Sequence, residues 1–138
     1  MRKLFLLFIL YLFISCEKND LNNCFESIYL NTEILLSNPE FINLETPTGW
    51  VYVNKGFRNI IIQNTGIGST PYKAFDRECP NHDCTSPMTF DGSLKLICSC
   101  DKATYSILDG SPQNNELSCF AYEYKVIESG NTLIITNF

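Results

Sequence analysis

Cys79, His82, Cys84, Cys98 and Cys100 fall within one short stretch, in the segments CPNHDC and CSCD. Thiolate and imidazole are the donors of a tetrahedral zinc site, and the two segments could meet across a hairpin. The spacing argues against zinc, because neither segment is Cys-x-x-Cys. The same thiols could pair as disulfides. Nucleophilic catalysis fits poorly: His82 is the only histidine, so no serine or cysteine has the base and orienting partner that a triad requires. Asp76, Glu78 and Asp83 gather near the first segment, but a solvated turn accounts for them, and no carboxylate pair stands out for acid–base work.

The elements that would position these residues read as short strands. Ile28, Leu30 and Ile34–Leu36 are apolar in a β-prone run, and Asn38-Pro39 is a break. Trp50–Val53 and Asn59–Gln63 flank a turn at Asn54-Lys55-Gly56. Gly66–Pro71 is a loop with no helix pattern after it, so its glycines are no phosphate cradle. Tyr72–Asp76 leads into the first cysteine segment. Met88–Phe90 and Leu94–Ile97 flank Asp91-Gly92-Ser93, a hairpin signal that leads into the second. Tyr105–Leu108 precedes a turn at Asp109-Gly110-Ser111-Pro112. Phe120, Tyr122, Tyr124 and Val126 alternate with Ala121, Glu123 and Lys125, the period of a half-buried strand. Thr132–Thr136 closes the chain. No long amphipathic helix and no internal repeat is present, so the expected class is all-β.

The N-terminus sets the compartment. Arg2 and Lys3 precede an unbroken apolar run of eleven residues, Leu4–Ile14. That is too short for a mature membrane span and reads as the core of a signal peptide. The run ends in Ile14-Ser15-Cys16, which resembles a bacterial lipobox, with Phe13 in place of the usual leucine. Residues 1–15 are therefore expected to be a lipoprotein signal peptide. Residues 16–24 are then a lipidated Cys16 and a polar tether, and residues 25–138 a single domain. The EKND stretch after Cys16 is similar to charged tags of surface-exposed Bacteroidota lipoproteins. It reads equally well as a solvated linker.

Removing residues 1–15 leaves 123 of the 138 residues and moves the formal charge from −5 to −7. An acidic chain with no basic cluster argues against nucleic acid as a partner. The membrane is expected to be met through the lipid on Cys16, at the outer membrane, with the domain facing the periplasm or the cell surface. Of seven cysteines, six remain for the domain: Cys24, Cys79, Cys84, Cys98, Cys100 and Cys119. Export favours disulfides, but spacing alone does not fix their connectivity.

The two cysteine segments resemble the cluster-binding loops of Rieske iron–sulfur proteins. In that family the first loop reads Cys-x-His-x-x-Cys and the second Cys-x-Cys-His-Gly-Ser-x-Tyr. Here they read Cys79-Pro80-Asn81-His82-Asp83-Cys84 and Cys98-Ser99-Cys100-Asp101-Lys102-Ala103-Thr104-Tyr105. All four cysteines fall in register, and Pro80, Tyr105 and Gly110 match family positions. The resemblance covers roughly residues 51–138. It implies small antiparallel sheets in a sandwich, with a two-loop tip. It further implies that Cys79 and Cys98 are the thiolate positions, and that Cys84 and Cys100 form the bridge between the loops.

The departures lie at the ligands. Asn81 and Asp101 occupy the two histidine positions, Lys102 the loop glycine and Ala103 the serine. His82 is one residue out of register. An ordinary Rieske centre needs two imidazoles on one iron, and one histidine cannot supply them. Three states stay open for Cys79 and Cys98: a second disulfide, free thiols, or a non-standard [2Fe–2S] cluster with Asn81, His82 or Asp101 as substitute ligands. The disulfide is the natural outcome of export, and His82 then reads as a polar loop residue. Cys24 and Cys119 lie outside the motif, and a bridge tying the N-terminal segment to the sheet is plausible.

The expected role is a binding or scaffold module without an ordinary cluster, its protein partner unidentified and no cofactor or catalytic residue assigned. Electron transfer through a modified cluster is the alternative from another class. Thiol–disulfide exchange at Cys79 and Cys98 is a third.

Overall fold

A computed structural model gives the fold and describes residues 24–25, 29–81, 84–114 and 119–138. The signal peptide, Cys16, most of the tether and His82 lie outside the described residues. Nine strands follow in order: β1 (Asn31–Leu35), β2 (Trp50–Val53), β3 (Ile60–Asn64), β4 (Tyr72–Asp76), β5 (Thr89–Phe90), β6 (Lys95–Ile97), β7 (Thr104–Ser106), β8 (Glu123–Ser129) and β9 (Thr132–Thr136). They form a six-stranded sheet of order β1-β9-β8-β4-β3-β2 and a three-stranded sheet β5-β6-β7. Every pairing is antiparallel. The fold is all-β. No helix among the described residues is long and apolar enough to cross a membrane.

The strands β3 and β4 explain why there are two cores. All five residues of β3 are buried, as in a strand covered on both faces. Ile60 and Ile62 point into a large core with Ile34, Leu44, Ala74, Tyr124, Leu133 and Ile135. Ile61 points the other way, into a second core with Phe75, Met88, Leu96, Tyr105 and Ile107. The β3–β4 pair is thus the wall between the cores. The small sheet packs on its outer side, and Cys79, Cys84 and Cys98 belong to that second core. Burying each of the three isoleucines contributes about 1.5–3 kcal/mol.

One sequence reading needs correction. The alternating strand expected from Phe120 begins only at Glu123. Before that point the backbone is used elsewhere: Ala121 N–H donates to the Gly110 carbonyl at 2.8 Å, and the Tyr122 carbonyl accepts from Asp76 N–H at 2.9 Å. Ala121, placed on the polar face by its alternation, is buried in the second core. The break at Asn38-Pro39 opens a seven-residue 3-10 segment, Pro39–Glu45. Its Phe41 and Leu44 are buried at the spacing of three that a 3-10 turn eclipses, and proline suits its first position. The hairpin signal at Asp91 is local chemistry: Asp91 Oδ1 accepts from the N–H groups of Ser93, Leu94 and Lys95.

Candidate functional site: a closed two-loop tip

The first loop, between β4 and β5, is held at its neck. Met88 N–H donates to the Arg77 carbonyl at 2.6 Å, and Arg77 Nε donates back to the Met88 carbonyl at 2.7 Å. The Arg77 guanidinium lies 3.7 Å from the Tyr52 ring centroid, a cation–π contact that pins the neck to β2. The second loop joins β6 to β7. Cys98 N–H donates to the Ala103 carbonyl at 2.9 Å, and Lys102 N–H to the Cys98 carbonyl at 3.1 Å. Lys102 takes a positive φ of 62°, a conformation natural to the glycine that the Rieske pattern carries there.

Among the described residues the loops are joined at three points. Cys79 is bonded to Cys98, with α-carbons 5.8 Å apart, and Cys84 to Cys100, with α-carbons 5.6 Å apart. Both distances are ordinary for disulfides. Asn81 Nδ2 donates to Asp101 Oδ2 at 2.7 Å, which is the third link. The two side chains therefore satisfy one another. Asp101 Oδ1 also accepts from Ala103 N–H at 2.9 Å. The Ala103 bond and then the Asn81 bond hold the Asp101 carboxyl below its usual range, since both favour its charged form.

The interior of the tip is buried. Cys79, Cys98 and Cys84 are buried, while Cys100 is exposed. Tyr105 is fully buried, and its hydroxyl has no hydrogen-bond partner among the described residues. Burial first, and then the charge of Asp101, push its pKa up to about 12, so it stays protonated. Gly110, the turn glycine, has φ +72°, and a Cβ there would lie 2.7 Å from the Ala121 carbonyl oxygen.

In this structure the described donors of the tip are paired with one another. All four tip thiols are committed to bridges, and the Asn81 amide and Asp101 carboxylate bind each other. Among the described residues no group of three or more His, Cys, Asp or Glu side chains is arranged to hold a metal ion. A Rieske centre needs two free thiolates and two imidazoles; two disulfides, an amide and a carboxylate are a different donor set.

The acidic cluster is also not what the sequence implied. Asp76 and Glu78 are buried at 2% and 5% exposure, so a solvated turn does not describe them. Asp76 accepts from Phe57 N–H at 2.7 Å, Arg58 N–H at 3.1 Å, Glu78 N–H at 2.8 Å and the Tyr124 hydroxyl at 2.8 Å. Glu78 takes the Arg58 Nε at 2.6 Å. These carboxylates anchor the start of the first loop, and a buried charge with four donors is how such a group is tolerated. Away from the tip, Cys24 is bonded to Cys119, with α-carbons 6.0 Å apart.

No family model matches the sequence, and no curated protein matches it. Among solved structures, the chain is similar to the ferredoxin of carbazole 1,9a-dioxygenase from Nocardioides aromaticivorans IC177. That likeness has a TM-score of 0.47 at 12% identity and covers 70% of this chain and 93% of that one. The chain is also similar to a nitrite reductase NADPH (small subunit) oxidoreductase protein, with a TM-score of 0.44 at 14% identity, over 75% of this chain and 97% of that one.

Proposed function

We propose that this chain is a Rieske-like lipoprotein domain whose cluster tip has become a closed structural tip. It serves as a binding or scaffold module, held by a lipid on Cys16 at the outer membrane and facing the periplasm or the cell surface. The observation that carries this reading is the Asn81–Asp101 hydrogen bond. It joins the two positions where the resemblance puts imidazoles, beside a Cys79–Cys98 bridge at the thiolate positions. Cys79 and Cys98 satisfy one another, and so do Asn81 and Asp101.

Two experiments test it. The mature domain, reduced anaerobically and supplied with ferrous iron and sulfide, is expected to retain substoichiometric iron. It should show neither [2Fe–2S] absorption bands nor the EPR signal of a reduced cluster. Stoichiometric iron with both signatures would make the protein an electron carrier instead. Mass spectrometry of the native protein should show a lipidated N-terminal Cys16, and Cys16→Ala should move the protein to the soluble fraction. An unmodified, soluble wild type would remove the anchor from the proposal.

A further inference from the structure

The two tip disulfides are neighbours. The sulfurs of Cys79 and Cys84 lie 3.9 and 3.5 Å from one atom, the Ser86 carbonyl oxygen. Both cysteines sit on the first loop and in the same core. Exposure also descends in one direction across the four residues. Cys100 is exposed, Cys84 is 4% exposed, Cys79 1% and Cys98 0%. An external thiolate can reach only one end of this series.

We infer that the tip is a two-disulfide relay, in which the outer Cys84–Cys100 bridge is the entry point and the inner Cys79–Cys98 bridge is reduced through it. The inference rests on the tip being disulfide-bonded, as proposed above, and adds an activity to it: accepting two electrons from an external dithiol. In the first stage a thiolate of that dithiol attacks Cys100 Sγ, which breaks the Cys84–Cys100 bond and leaves Cys84 as a thiolate. The second thiol of the donor then resolves the mixed disulfide. The donor leaves oxidised, and Cys84 and Cys100 are both reduced.

In the second stage Cys84 thiolate attacks Cys79 Sγ. A Cys79–Cys84 bond forms, and Cys98 leaves as a thiolate. Cys100 thiolate then attacks Cys84 Sγ, restoring the outer bridge and releasing Cys79. The two electrons now reside on Cys79 and Cys98, and the protons follow from solvent. Such exchange runs only where the attacking thiolate can reach the disulfide sulfur. The shared contact with the Ser86 carbonyl holds Cys84 beside Cys79, so a small movement of the first loop gives Cys84 that reach once its own bridge is open, while burial denies it to an outside thiol.

Single-cysteine variants read the relay directly. Cys100→Ser removes the resolving sulfur, so the freed Cys84 should capture Cys79. Non-reducing peptide mapping of the mature variant after N-ethylmaleimide treatment should find a Cys79–Cys84 linkage and an alkylated Cys98. Cys84→Ser loses the same outer bridge and is the control for a loosened tip. It should keep Cys79–Cys98 intact, with Cys100 alkylated. A Cys100→Ser protein that retains Cys79–Cys98 with Cys84 free overturns the relay, and so does equal scrambling in both variants.

In the wild type under limiting dithiothreitol, label should appear at Cys84 and Cys100 at least tenfold faster than at Cys79 and Cys98. Inner-pair label arriving first or together with the outer also overturns it. The underlying reading fails separately: wild type would then carry Cys79 and Cys98 alkylatable, or bound to iron, before any reductant is added.

Discussion

At the scale of single residues, the hydrogen bond from Asn81 to Asp101 makes the ends of the two loops meet. Their contact is exposed to solvent, so it stabilises modestly. Asp101→Ala should cost no more than about 1 kcal/mol at pH 7, measured by urea unfolding. The sign of the pH effect follows from the lowered carboxyl. A depressed folded-state pKa contributes stability above the unfolded value and loses it as pH falls through the folded one. The gap between wild type and Asp101→Ala should therefore be full at neutral pH and narrow below about pH 4. A constant gap from pH 7 to pH 3 would show that Asp101 acts without its charge. Tyr124 is a deeper case. Its hydroxyl donates to Asp76 inside the fold, and burial, followed by the charge of Asp76, holds its pKa far above the usual phenol value. Tyr124→Phe should cost about 2 kcal/mol, the range for a hydrogen bond to a charged group, with the folded spectrum unchanged.

At the scale of elements, the structure turns on the wall formed by β3 and β4 and on the turns that lock onto it. The strand segments could be read from sequence because alternation and apolar runs report burial directly. Asn59–Gln63 could be read as a strand, for example, though not that its two faces serve different cores. The start of β8 was misplaced because Phe120 and Tyr122 keep the period while their backbone is already bound to Gly110 and Asp76. Asp76 looked like a solvated carboxylate because its four donors come from residues up to 48 positions away. The Asn81–Asp101 pair, 20 positions apart, was equally hidden. The positions of the cysteines were legible, whereas their pairing came only from the family register. Gly110 tests the turn that supports the tip. Gly110→Ala would put a Cβ against the Ala121 carbonyl at positive φ, which should cost about 2 kcal/mol. Urea unfolding should show a lower midpoint with an unchanged slope.

At the scale of the whole molecule, three bridges cross-link the chain. Cys24–Cys119 encloses a separation of 95 residues, and a loop of that size gives about 4.7 kcal/mol in the chain-entropy model. The tip bridges enclose 19 and 16 residues, about 3 kcal/mol each on the same model. The double variant Cys24→Ser with Cys119→Ser should lose about 2–5 kcal/mol and melt markedly lower. It should keep the tip bridges, as mapped on non-reduced peptides.

The position of the Cys24–Cys119 bridge also has a mechanical meaning. β1 is an edge strand, held to β9 by five residue pairs. A pull on the N-terminal end would open those pairs one after another, like a zip drawn from its end. The bridge intercepts that pull before it reaches Asn31 and delivers it to Cys119, just ahead of β8 in the middle of the sheet. There the load is shared across strands on both sides, and β1 carries none of it. A domain tethered at its N-terminus can then be tugged without its edge peeling away. The same domain with this one bond cut would unravel from the tethered end at a much smaller force.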